Sequence, residues 1–74
     1  MLARFGDRID RVIVDISDGE VGGFKSCEIE VRLKAQIVKA EDTDADVFLA
    51  MDHAAKRVAR SVSRAIELEG LARR

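Results

Sequence analysis

The sequence predicts an α+β fold: a three-stranded antiparallel sheet covered on one face by a long C-terminal helix. Three observations carry that expectation. First, over 26–35, Cys27, Ile29, Val31, Leu33 and Ala35 alternate strictly with Ser26, Glu28, Glu30, Arg32 and Lys34. Such period-two alternation makes a strand with one buried face and one wet face. Second, over 47–69, Phe48, Met51, Val58, Val62 and Ile66 recur at steps of three and four, with Ala54, Ala55, Ala59 and Ala65 between them. That spacing keeps apolar groups on one side of a helix turning about 100° per residue. Third, the glycine-rich run SDGEVGG separates the alternating segment from an earlier apolar one, as a hairpin loop does.

Taken in order, 1–9 has Leu2, Phe5 and Ile9 at helical spacing, with Gly6 near a helix C-terminus. It reads as a short N-terminal helical turn, too short to hold in water without packing. Residues 10–17, DRVIVDIS, read as the first strand, with Val12, Val14 and Ile16 on one face. A loop follows over 18–24, then the strand 26–35, a turn near Ala35 and Gln36, and a third strand over 37–41 with Val38 and Ala40 facing inward. The acidic run EDTDAD supplies the helix start: Asp44 or Asp46 is the expected N-cap, and the negative charge suits the positive end of the helix dipole. The helix is expected over 46–69, ended by Gly70. Consecutive hairpins place the strands in sequence order. The helix then covers Val12, Val14, Ile16, Cys27, Ile29, Val31, Leu33, Val38 and Ala40 in a two-layer domain.

Composition bounds what such a domain does. Seventy-four residues form a single domain, 1–74. At this size folding buries only about 60% of the surface of the unfolded chain, so a partner's help is valuable. The net charge of −1 hides a polarity: residues 1–46 hold seven Lys/Arg against eleven Asp/Glu, and residues 47–74 hold six against three. A polarised domain can bind phosphate by its basic face while its total charge stays near zero. Aromatics are limited to Phe5, Phe24 and Phe48, which disfavours a platform for stacked bases. The lone Cys27 cannot form an intrachain disulfide and reads as a small inward-facing apolar residue, which suits a reducing compartment. No apolar run approaches the ~20 residues of a membrane span and no signal peptide opens the chain. A cytoplasmic protein is the expectation.

No catalytic, metal or nucleotide motif stands out. The glycine loop with Lys25 lacks the Walker pattern. EDTDAD fails as an EF-hand loop, because starting from Asp42 it places Val47 where glycine is needed and His53 where glutamate is needed. One His and one Cys leave little for a metal centre, and Ser61 and Ser63 have no evident base. The expectation is no enzyme, no metal, no cofactor and no small-molecule substrate. What remains is the cationic side of the helix, where His53, Lys56, Arg57, Arg60 and Arg64 face away from the apolar stripe. Such a row is a solvated helix face or a phosphate-binding one.

The ordered set LARFGDRIDRVIV, SD before a Gly-Gly loop, KSCEIEVRL, and an acidic lead into AMDHAAKRVAR resembles the ribosome hibernation promoting factors, the family that includes the ribosome-associated inhibitor and S30AE-type proteins. The resemblance runs through Arg4, Phe5, Asp7, Arg8, Ile9, Arg11, Val12 and Val14, through Cys27, Ile29, Val31 and Leu33, and through Ala50, Met51, Asp52, Ala54, Ala55, Arg57 and Arg60. It implies a β-α-β-β-β-α fold similar to double-stranded-RNA-binding domains. It also implies non-catalytic binding to the small ribosomal subunit, with basic residues on ribosomal RNA, as part of a stress response. Lys25, Lys56, Arg57, Arg60 and Arg64 are the RNA-binding candidates. Against that pattern the first strand and most of the first helix are missing, which leaves 10–17 as a bare edge and part of the sheet without a lid. Exposed edges and apolar patches invite association, so a homodimer is expected. A self-associating module that has lost ribosome binding is the alternative.

Overall fold

In the computed structural model, which describes residues 8–20 and 22–72, the elements run β1 (Ile9–Asp18), β2 (Lys25–Leu33), β3 (Ile37–Asp44) and α1 (Val47–Ala72). The sheet is antiparallel in the order β1-β2-β3, as the two hairpins require. The expected helical turn over 1–9 lies outside the described residues for 1–7, and Ile9 already belongs to β1.

Each hairpin closes through its main chain. The Gly19 N–H donates to the Phe24 carbonyl at 2.9 Å, and Gly23 takes φ +83°, a left-handed conformation that side chains disfavour. At the other end the Leu33 N–H donates to the Gln36 carbonyl at 2.8 Å, so β2 stops at Leu33 rather than at residue 35. β3 runs three residues past the expected 41. Asp42, Thr43 and Asp44 pair with Cys27, Ser26 and Lys25, and the ladder holds a stretch whose composition alone suggests a loop. A shift in register between Ile9 and Arg11 leaves Asp10 as the extra residue of a bulge.

Asp46 caps α1. Its carboxylate accepts from the Phe48 N–H at 2.9 Å, its carbonyl accepts from Ala50, and its own N–H donates to Asp44 Oδ1 at 2.9 Å. Both candidate aspartates therefore serve, in series. At the far end the helix passes through Gly70 to Ala72. Glycine costs roughly 1 kcal/mol in a helix but ends one only when a competing cap takes over. At 1.5 Å per residue α1 is about 39 Å long. The eight residues of β3 rise only about 27 Å, so the C-terminal turns of α1 project past the sheet.

The core is the inner row of β2 against one stripe of α1. Cys27, Ile29, Val31 and Leu33 lie beneath Ala50, Ala54, Val58, Val62 and Ala65, with Val38 and Ala40 of β3 packed alongside. Alanines at 50 and 54 let the helix backbone come close to the strands. One expectation needs correction. Val12, Val14 and Ile16 pair with Val31, Ile29 and Cys27 and so share the helix-bearing face, yet they are 42%, 50% and 45% exposed. The helix lies over β2 and β3, and its width does not reach β1.

Candidate nucleic-acid interface

Because α1 sits toward β3, its cationic side is a flank beside the outer strand and not the roof of the domain. Residues 53, 57, 60 and 64 follow one another at steps of four, three and four, which stacks them along one stripe. Arg57, Arg60 and Arg64 line an open groove of about 710 Å³ whose other wall is the 36–41 stretch of β3 and its turn. Arg57 Nη1 donates to the Glu41 carbonyl at 3.2 Å, which anchors the first guanidinium to the strand edge. No ion pair joins any of the three arginines to a carboxylate among the described residues. Gln36 adds an amide and Leu68 an apolar side chain at the end where the helix leaves the sheet, whereas Lys39, on the strand wall of the groove, turns its ammonium to the other face of the sheet toward Glu30. Arg57 to Arg64 covers about 10 Å along the helix axis.

The remaining candidates lie apart. Lys56 pairs with Asp52 at 2.9 Å one turn back and stays outside the groove. Lys25 stands at the opposite end of the sheet, opposite Asp44 and ion-paired with Asp18, whose carboxyl the lysine holds below its ordinary value by hydrogen bond and charge. His53 closes the near end of the stripe, its Nδ1 in hydrogen bond with Asp42 Oδ2 at 2.8 Å. Lys39 and Gln36 were not singled out by sequence. Their signal was position on the third strand and its turn, which has meaning only once the helix is known to lie on that side.

On the face of the sheet away from α1, Glu30 is neutralised by the cations beside it. Glu30 accepts from Arg32 Nε at 2.9 Å and meets Lys39 at 3.5 Å. The bond from Arg32, with the charges of both cations, outweighs partial burial and keeps the Glu30 carboxyl below its ordinary range. Cys27 has no role at the groove: it is fully buried, and that burial, with a smaller push from the Asp15 charge, raises its thiol pKa. No group of three or more His, Cys, Asp or Glu is placed to hold a metal among the described residues, and no described helix is long and apolar enough to cross a membrane.

A short antiparallel sheet under one long helix, with arginines along the helix flank that form no ion pair among the described residues, defines a small α+β domain carrying a cationic groove. The family of sigma 54 modulation proteins and S30EA ribosomal proteins matches residues 1–67, and the chain belongs to that family. No curated protein and no solved structure matches it.

Proposed function

We propose that the protein is a non-catalytic, ribosome-associated translation regulator that binds ribosomal RNA of the small subunit through the α1–β3 groove. The observation that carries this reading is the convergence of Arg57, Arg60 and Arg64 on one open groove, with no ion pair to a carboxylate among the described residues. Family membership supplies the ribosome as partner. Three arginines along about 10 Å of helix suit contacts to successive phosphates of one RNA strand. Lys56, on the neighbouring turn, and Lys25, at the far end, are secondary contacts. The action is steric, in the manner of a hibernation factor under stress, and it takes place in the cytoplasm with no cofactor and no small-molecule substrate.

The test is comigration with the small subunit on a gradient at low salt. Arg60→Glu with Arg64→Glu abolishes comigration while circular dichroism stays unchanged. Comigration that survives both charge reversals overturns the assignment of this face.

A second reading is favoured by the exposed row of Val12, Val14 and Ile16: the chain self-associates as a homodimer, with or without ribosome binding. Sedimentation with ribosomes at low and high salt separates the two readings. An RNA-bound regulator is released by salt, and a module that only self-associates never pellets with ribosomes at either salt concentration.

A further inference from the structure

On the sheet face away from α1, Arg11 lies opposite Arg32, and Asp15 lies opposite Glu28. Like charges directly opposite one another destabilise a strand pair. Neither Arg11 nor Asp15 thus has a complementary residue directly opposite on β2, and neither forms an ion pair among the described residues. Among the described residues no strand lies on the other side of β1. Its outer row of backbone N–H and C=O groups is a template for a further strand.

The charges of β1 are ordered with opposite sign about Ile13. Arg11 stands two residues before it and Asp15 two residues after, with Arg8 and Asp18 further out. We propose that the outer edge of β1 docks a second copy of this chain, strand to strand, antiparallel and centred on Ile13. That register sets Arg11 against Asp15 of the second copy, and Asp15 against Arg11 of the second copy, so both like-charged pairs gain an opposite neighbour. It brings the Arg8 end of one strand to the Asp18 end of the other. On the helix-bearing face it sets Val12 beside Val14 of the second copy, joining two rows that are each 42–50% exposed into one apolar strip. The product is a continuous six-stranded sheet with both helices on one face.

Other registers fit less well. Centring on Val14 sets Asp10 against Asp18 of the second copy, and centring on Val12 sets Arg11 against Ile13. A slip of one residue turns the second copy over and sets Val12 against Asp15. The proposal rests on the self-association named above and is independent of the RNA groove, which lies along the other edge of the sheet.

The experiment is sedimentation velocity of the purified protein without ribosomes. The wild type sediments as a dimer at micromolar concentration. Arg11→Asp or Asp15→Arg alone weakens the dimer by about tenfold or more, as unpaired charges at a docked edge do. The double variant Arg11→Asp/Asp15→Arg restores it. A monomeric wild type, or single variants as dimeric as the parent, overturns the proposal, as does a folded double variant that stays monomeric. A second measurement is independent of the charge variants. In a Cys27→Ala background, Ile13→Cys forms an intermolecular disulfide on mild oxidation, because residue 13 meets its own copy at the two-fold axis within bonding distance. Val14→Cys does not, and crosslinking at 14 equal to that at 13 overturns the register. Loss of ribosome comigration in arginine-groove variants that remain dimeric bears on the RNA reading alone.

Discussion

Arg57 ties the long helix to the outer strand through the main chain of Glu41, its Nη1 donating to the carbonyl at 3.2 Å. The bond fixes the first member of the arginine row at the strand edge, and the rest of its donors stay available to a ligand. Replacing Arg57 by Met keeps the side-chain stem and removes the donor. The expected loss is about 0.5 kcal/mol in urea-midpoint stability, the low end for a hydrogen bond at an exposed site.

Binding of a ribosomal RNA fragment should weaken linearly on a log–log plot against salt. Three phosphate contacts give a slope between about −2 and −3. Arg60→Gln or Arg64→Gln each flattens that slope by about 0.7 to 0.9. Lys25→Gln changes it less, because Lys25 is engaged with Asp18 at the far end of the sheet. The measurement is a fluorescence titration over a salt series.

Asp46→Ala removes the side-chain acceptor for the Phe48 N–H. The expected cost is about 1 kcal/mol in thermal or urea unfolding. Asp44→Ala costs less, because it frees only the N–H of Asp46, which lies before the helix and is open to water.

Glu30 gives the domain an acid limb. Its folded pKa lies below its ordinary 4.5, so the ionised carboxylate stabilises the fold at neutral pH. That contribution is complete above the ordinary value and is lost as pH falls through the lower folded one. Glu30→Gln should therefore lower stability at neutral pH and flatten its decline in acid. Urea midpoints taken from about pH 6 down to about pH 3 check both effects.

How much of this was legible in the sequence depended on whether each feature was local. β2 was plain, because Glu28, Glu30 and Arg32 alternate with Ile29, Val31 and Leu33 without exception. The end of β3 was not, because Asp42, Thr43 and Asp44 are held by partners on β2 and by nothing in their own composition. Gly70 suggested a stop, yet the helix runs on to Ala72. The face to which Val12, Val14 and Ile16 belong could be read from period two. Their exposure could not, since it depends on where across the sheet the helix comes to rest. The same sideways placement turned the arginine row into a groove wall with Gln36 and Lys39 and left Lys25 at the other end.

Cys27 sits on the middle strand in the core beneath α1, with no surface open to water. A disulfide reagent added to the folded protein cannot reach its sulfur until β2 and α1 separate. The rate of labelling thus times that opening, and its dependence on reagent concentration tells whether separation or chemistry limits it. The chain carries its own stopwatch for core breathing, one that reads the same molecule free and bound to a partner.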